Sequence, residues 1–205
     1  VSLPRRVGEK IAPLVGAAPG QVICCDSISV NLFKLLATAL ALQSPRRTVL
    51  TCAGDFPTDG YMGQGLQSLL GADRCDMRAV AADRLPDALD ESVAVLMITE
   101  VDFRSGLRHD MRALTAAAHS AGALVIWDLA HSAGAIPVAL DDCVADMAVG
   151  CGYKFLNGGP GAPAFLYVAA RHQNRVVQPL SGWFGHVAPF AFDPQYAPAE
   201  GIASY

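Results

Sequence analysis

The sequence predicts an α/β fold, in which helices cover both faces of a mostly parallel sheet. Short apolar runs alternate with segments of helical period along most of the 205 residues, which is typical of repeated βαβ units. Hydrophobic residues make up 52% and charged residues 17% of the chain, whereas an ordinary soluble domain has about 25% charged residues. This composition favours a large buried sheet, an oligomer interface, or both.

Seven apolar runs predict the strands. Each run is short and rich in Val, Ile, Leu or Met, as expected for a sheet that is covered on both faces. In chain order the predicted strands are residues 21–25, 48–52, 75–80, 93–99, 124–128, 147–151 and 164–168.

Four segments of helical period lie between these strands. Pro57 can occupy a first helical turn, where its missing N–H would have no partner in any case. Gly71 follows the last apolar residues of the same segment as a stop signal, and Asp110 can cap a helix that Gly122 ends. The predicted helices are residues 30–42, 57–70, 84–90 and 111–121.

The last part of the chain breaks the βα rhythm. From about Gln178 onward Pro, Gly and aromatic residues dominate, which predicts a long irregular segment. We therefore expect a large domain in residues 1–178, and in residues 179–205 a segment that leads to a C-terminal domain outside this chain. The chain begins with Val and stops without a terminal helix or polar tail, so we expect it to be an interior piece of a longer protein.

The charge pattern argues against two classes of partner. The formal net charge is -4, and Lys and Arg adjoin only as the pairs Arg5-Arg6 and Arg46-Arg47, which gives no electrostatic reason to bind nucleic acid. No apolar run approaches the ~18–20 residues that cross a bilayer, and the N-terminus lacks a signal-peptide pattern. We expect neither a nucleic-acid partner nor a membrane partner.

The six cysteines are spread along the chain without a Cys-x-x-Cys pair or a cluster of histidines. Their spacing predicts neither a disulfide framework nor a zinc site. Most of them lie in apolar, strand-like runs, where cysteine behaves as a small buried hydrophobe, and this suits a reducing compartment. The expected location is the cytoplasm.

Chemically useful groups follow the carboxyl ends of three predicted strands, which is where open α/β sheets place their sites. Asp128 and Thr99 each close a strand, and Tyr153 and Lys154 follow another, before the glycine-rich turn 157–161. A lysine and an aspartate in these positions are what a pyridoxal phosphate enzyme needs, the amine to bind the cofactor and the carboxylate to keep its ring nitrogen protonated. The alternatives are a solvated surface lysine and an aspartate that caps a helix or forms an ion pair.

Two junctions between loop and helix could hold the other parts of such a cofactor. Ser27-Ile28-Ser29 leads into a predicted helix, whose free N–H groups favour an anion, although Ser27 or Ser29 could simply be an N-cap. Phe56 precedes another helix and could stack on a flat ring or only fix the helix to the core. By its position in the sequence alone, His131 is predicted to be a packed loop histidine. No function is predicted for His109, His119 or His172.

Five strings extend this pattern over nearly the whole chain. The sequence resembles the kynureninase family, a branch of the fold-type-I pyridoxal phosphate enzymes. The strings are DSISVNLFKLL at 26–36, FPTDGYMGQGL at 56–66, WDLAHSAGAIPV at 127–138, GCGYKFLNGGPGAPAFLYV at 150–168 and PLSGWFGH at 179–186.

The resemblance implies a role for each matching residue. Lys154 holds the cofactor as an imine and removes the Cα proton of the substrate, Asp128 pairs with the pyridine nitrogen, and Phe56 lies over the ring. Tyr153 is implied as a proton relay near the phosphate, and Ser29 stands where many relatives have Thr. The remaining pocket residues implied are Ile28, Pro57, Thr58, Asp59, Thr99, His131 and Trp183.

The implied reaction is the hydrolysis of L-kynurenine, or its 3-hydroxy form, to anthranilate, or 3-hydroxyanthranilate, and L-alanine in tryptophan catabolism. The resemblance also implies a homodimer with the site at the interface, so that Trp183 could serve the neighbouring subunit. Because the arginine for the substrate carboxylate is expected outside this chain, we expect the isolated 205 residues to be inactive. The alternatives are a cysteine desulfurase or another class-V aminotransferase, and a fragment that folds or dimerises without catalysis.

Overall fold

The fold is built on one mixed sheet. A computed structural model describes residues 2–175 and 178–205, and within these ranges seven strands join in a single sheet. The strands are β1 (Val22–Cys24), β2 (Thr48–Cys52), β3 (Asp76–Val80), β4 (Val93–Thr99), β5 (Leu124–Asp128), β6 (Met147–Cys151) and β7 (Ala164–Val168).

The strand order is β1-β7-β6-β5-β4-β2-β3. The strands from β6 to β3 in this order run parallel, and β7 is antiparallel to both of its neighbours. The register pairs Thr99 with Asp128 at the ends of β4 and β5. The carboxyl ends of β1, β2, β4, β5 and β6 therefore lie along one edge of the sheet, together with the start of β7. The prediction of a mostly parallel α/β sheet is confirmed.

Helices connect and cover the strands. The α-helices are α1 (Leu3–Ile11), α2 (Ile28–Leu42), α3 (Pro57–Leu70), α4 (Leu85–Ala88), α5 (Met111–Ser120) and α6 (Ala170–Gln173), and short 3₁₀ segments occur at Ala12–Val15, Ala82–Arg84, Trp183–Gly185 and Gly201–Ser204.

The two faces of the sheet bury separate apolar layers. Alternate strand residues point to opposite faces, so that Trp127 packs with α5 residues such as Leu114 in one layer, while its neighbour Ile126 packs with Leu35 of α2 in the other. The Trp127 indole N–H donates to Thr115 Oγ1 at 3.2 Å. Burying these strands on both faces fixes the sheet edge on which the polar residues meet.

Most predicted boundaries agree with the structure, and the caps explain why. The Asp110 side chain accepts a hydrogen bond from the Ala113 N–H at 2.9 Å at the start of α5. Gly71 ends α3 with a φ of 87°, a backbone conformation that glycine adopts without strain. The helix predicted at 84–90 is wrong in length: α4 spans only Leu85–Ala88 and follows a 3₁₀ turn.

Residues 178–205 are mostly irregular, with two short 3₁₀ segments, as predicted. Ile202 and Tyr205 are buried in the layer that contains α2, so the end of this segment packs back onto the sheet. The predicted domain boundary at residue 178 adjoins residues 176–177, which lie outside the described residues, and the division remains a prediction. Among the described residues, no helix has the length and apolar character needed to cross a membrane.

Candidate active site

A cavity of about 530 Å³ opens at the carboxyl edge of the sheet. Loops after β1, β2, β5 and β6 reach it, together with the segment that enters β7. Its lining residues are Asp26, Ser27, Ile28, Ser29, Phe56, Thr58, Asp59, Asp128, Ala130, Cys151, Tyr153, Lys154, Gly161, Ala162, Pro163 and Ala164.

Lys154 projects into this cavity from the loop after β6. Its Nζ lies 2.9 Å from His131 Nε2 and 5.6 Å from the centre of the Phe56 ring. Burial and the positive charge of Lys154 both lower the pKa of His131, so the imidazole is neutral and accepts a hydrogen bond from the lysine. The amine is therefore held by a hydrogen bond beside an aromatic face.

Two carboxyl groups share the inner part of the cavity. Asp128 is buried at the end of β5, and its Oδ1 accepts from the Ala130 N–H at 2.8 Å. Burial raises the pKa of Asp128, and burial together with the charge of Asp128 raises the pKa of Asp59 to about 9. Ionising two adjacent carboxyl groups together is unfavourable because their negative charges repel. Asp59 therefore keeps its proton and donates it in a hydrogen bond to Asp128.

The start of α2 gives the cavity an anion-binding wall. Ser27 Oγ caps the helix by accepting from the Val30 N–H at 3.3 Å, and Ser27 O accepts from the Asn31 N–H. The backbone N–H groups of Ile28 and Ser29 lie in the first turn, where the helix dipole favours negative charge. The N-cap explanation of Ser27 is thus correct, and it leaves the Ser29 hydroxyl beside the cavity.

The glycine-rich turn after Lys154 allows two chain segments to come close together. A Cβ at Gly158 would lie 2.7 Å from the Ala162 Cβ and 2.9 Å from the Gly152 carbonyl oxygen. The Gly158 N–H donates to that same oxygen at 2.9 Å. Only glycine fits here, and the close approach positions the loop that carries Lys154.

Comparison with known proteins identifies the family. Residues 62–187 match the class-V aminotransferase family, which is more than half of the chain. The chain belongs to this family. It is also similar to proteins named kynureninase, with 53% identity over 210 residues to that of Burkholderia pseudomallei and 55% over 205 residues to that of Deinococcus radiodurans. Each match covers 100% of this chain, but 50% and 49% of the relative, so the chain spans about half their length.

Solved structures agree with this fold. A cysteine desulfurase from Thermococcus onnurineus NA1 superposes with a TM-score of 0.79 at 19% identity, covering 98% of this chain and 51% of that one. The cystine C–S lyase C-DES, solved with its product cysteine persulfide, gives 0.79 at 15% identity, covering 97% and 55%. At these identities the likeness establishes the fold alone.

Most residues singled out from the sequence lie on this one cavity. His131 contacts it through Lys154, and Pro57 forms the first turn of α3 without lining it. Thr99 is buried below the cavity, where its hydroxyl donates to the Val101 carbonyl at 3.0 Å. Trp183 is 52% exposed and lies on a separate surface cavity formed with residues 178–205. Those that line the cavity are Ile28, Ser29, Phe56, Thr58, Asp59, Asp128, Tyr153 and Lys154.

Two polar features of the chain were not predicted from the sequence. Asp26 lines the cavity and pairs with the buried Lys34 at 2.6 Å; its position directly after a strand was the signal that could have found it. His119 and His172, which received no function, both contact the buried Asp146 at 2.8 and 2.7 Å. They lie at the amino end of β6, away from the cavity, and their role there is structural.

Proposed function

We propose that the whole protein containing this chain is a kynureninase, which uses pyridoxal 5'-phosphate to hydrolyse L-kynurenine to anthranilate and L-alanine. The chain would supply the cofactor-binding part. The observation that carries the proposal is that Lys154 and Asp128 line the same cavity, in a chain that is 53% and 55% identical over its full length to proteins named kynureninase.

The residues of the cavity fit this cofactor. It has an aldehyde that reacts with an amine, a basic ring nitrogen and a phosphate, and the cavity offers Lys154, the Asp128 carboxylate and the start of α2. When bound, pyridoxal phosphate stabilises negative charge that develops on the substrate. Ser29 and the N–H groups of the first turn of α2 would hold the phosphate, and Phe56 would lie against the ring.

Each proposed role follows from a contact in the protein. Asp128 would accept a hydrogen bond from the ring nitrogen and keep that nitrogen protonated. Lys154 Nζ would bind the cofactor and afterwards move the proton at the substrate Cα. His131, neutral and 2.9 Å from Nζ, would orient the amine. Tyr153, whose side chain borders the cavity beside Lys154, would relay protons near the phosphate.

The competing desulfurase reaction needs a nucleophilic cysteine near the cofactor. Cys151 is the cysteine that lines the cavity, but it is the last residue of β6 and burial raises the pKa of its thiol. A buried, protonated thiol on a strand is a poor nucleophile. Among the described residues, Cys151 therefore does not supply the nucleophile that desulfuration needs.

Assembly and location are part of the same proposal. An exposed aromatic cluster of Trp183, Phe184, Phe190 and Phe192 supports a homodimer, because exposed apolar patches commonly mark interfaces. In that dimer Trp183 would complete the site of the neighbouring subunit, since it lies outside the cavity of its own chain. The six unpaired cysteines support a reducing, cytoplasmic location.

The test uses the full-length protein that contains this chain. Anthranilate is fluorescent, so L-kynurenine hydrolysis is followed directly, with and without added pyridoxal phosphate. We expect cofactor-dependent turnover that Lys154→Ala abolishes, whereas Lys10→Ala, an exposed change in α1, leaves it intact. Absence of anthranilate from a folded, cofactor-loaded protein would overturn the proposed reaction.

A further inference from the structure

A second group of chemically active side chains lies behind the cavity. Cys52 ends β2, Asp55 lies three residues later in the loop that leads to α3, and His109 precedes α5. The Cys52 Sγ, a carboxylate oxygen of Asp55 and a ring nitrogen of His109 all lie within 4.8 Å of one another. The spacing along the chain gave no sign of this cluster, because the fold brings His109 back from the far side of β4.

The polar atoms of this cluster have few and long hydrogen bonds. Asp55 Oδ1 is buried without a hydrogen-bond partner, while Oδ2 accepts only a long bond of 3.4 Å from the Thr99 N–H. Across residues 2–175 and 178–205, the His109 ring makes no hydrogen bond, and the Cys52 thiol makes one, to the Ala53 carbonyl at 3.8 Å. Buried polar atoms are nearly always satisfied, so the unpaired Asp55 Oδ1 beside a thiol and an imidazole points to a missing ligand.

We propose that Cys52, Asp55 and His109 bind a zinc ion. Sulfur, imidazole nitrogen and carboxylate oxygen are the ligands that Zn²⁺ prefers, at about 2.0–2.3 Å, and small side-chain adjustments would bring the three atoms to that distance. A Cys52 thiolate and an Asp55 carboxylate together balance the two positive charges of the ion, while the proton of the thiol passes to solvent. Three protein ligands leave a fourth position for water.

The position of the site gives the ion a structural consequence. The ion would connect the carboxyl end of β2, through Cys52, to the segment that follows β4, through His109. The backbone N–H of His109 donates to the Glu100 carbonyl at 2.9 Å, which joins His109 to the end of β4. Asp55 immediately precedes Phe56, whose ring borders the cavity. Zinc would therefore fix the base of the loop that carries Phe56. Cys52 is buried, but Asp55 and His109 are only half-buried, which leaves a route for the ion.

The test measures zinc affinity of the purified chain under reducing conditions, in competition with a chromophoric chelator. We expect one Zn²⁺ per chain, and a loss of affinity of about 100-fold or more in each of Cys52→Ser, Asp55→Asn and His109→Gln. The matched controls Cys143→Ser and Asp142→Asn lie outside the cluster and should bind as the parent does. Binding that is absent from the parent, or unchanged in all three variants, would overturn the proposal.

A second measurement does not depend on the variants folding. X-ray absorption at the zinc edge of the loaded parent chain should show one sulfur ligand with nitrogen and oxygen ligands. A zinc coordination shell without sulfur would place the ion elsewhere and contradict the proposal that Cys52 is a ligand. Neither readout depends on kynurenine hydrolysis, so the zinc site and the proposed function can fail independently.

Discussion

The Nζ of Lys154 lies 2.9 Å from Nε2 of His131, although 23 residues separate the two in the chain. Parallel β5 and β6 create this contact, because the residues that follow their carboxyl ends meet at the same edge of the sheet. The Phe103 ring stacks against His131 with 6.3 Å between ring centres. The imidazole is thus fixed from one side and holds the lysine from the other.

The role of Asp128 is tested by removing its charge while keeping its shape. In the full-length protein, Asp128→Asn should lower turnover by about 100-fold or more, because the proposed ring-nitrogen contact depends on a carboxylate. Asp90→Asn is the control, since Asp90 is exposed, and its partners are Arg78 at 2.9 Å and the nearby Ser92. Kinetics and circular dichroism of both variants are compared, and equal activity would leave Asp128 a structural role only.

The proton that Asp59 donates to Asp128 predicts how the free energy of unfolding depends on pH in the cofactor-free chain. Burial raises the folded pKa of Asp59 from 3.8 to about 9, so its contribution to stability is fully present below the unfolded pKa and declines as pH rises toward the folded one. The decline is at most about 1.4 kcal/mol per pH unit.

Urea unfolding between about pH 5 and pH 8 measures that decline. Asp59→Asn, which still donates to Asp128 but does not titrate, should show a shallower fall in the free energy of unfolding than the parent chain. Parallel curves for the two proteins would mean that the proton is not held on Asp59.

Asp146 predicts the opposite pH dependence at the other end of β6. Its carboxylate is buried, yet hydrogen bonds from His172 and His119 and the ion pair with Arg171 outweigh burial and lower its pKa to about 2. Its stabilisation is present above about pH 4 and is lost as pH falls toward 2. Asp146→Ala should cost about 3–5 kcal/mol of unfolding free energy at neutral pH, because it leaves buried partners unpaired.

Exposed Asp142 provides the control for this change. Asp142→Ala should alter the unfolding free energy by less than about 0.5 kcal/mol, measured by urea denaturation beside Asp146→Ala. If the two substitutions had the same effect, the cluster around Asp146 would contribute little to the fold.

The sequence predicted the sheet well because most of its strands are buried on both faces. β4 is an unbroken apolar run between polar segments, and its predicted bounds match the structure. Helix α1 was missed, since LPRRVGEKI is rich in charge and contains a glycine. Tertiary packing decides this helix: a Cβ at Gly8 would lie 2.1 Å from the Val22 carbonyl oxygen, so the glycine lets α1 pack directly on β1.

The cavity was predictable in part for a similar reason. Asp128 and Lys154 follow strand ends, and the geometry of a parallel sheet brings such residues together. The shared proton of Asp59 and Asp128 was not predictable, because it depends on burial and on a side-chain hydrogen bond. The cluster of Cys52, Asp55 and His109 was hidden because its members come from two different crossovers.

We propose that Lys154 binds pyridoxal phosphate covalently, and the chain suits a direct test because its three lysines are Lys10, Lys34 and Lys154. Lys10 is exposed on α1, and Lys34 is buried in an ion pair with Asp26. The measurement is borohydride reduction of the cofactor-treated protein followed by peptide mass spectrometry. We expect one phosphopyridoxyl group per chain, on the peptide that contains Tyr153 and Lys154; labelling of Lys10 or Lys34 with Lys154 unmodified would contradict covalent binding at Lys154.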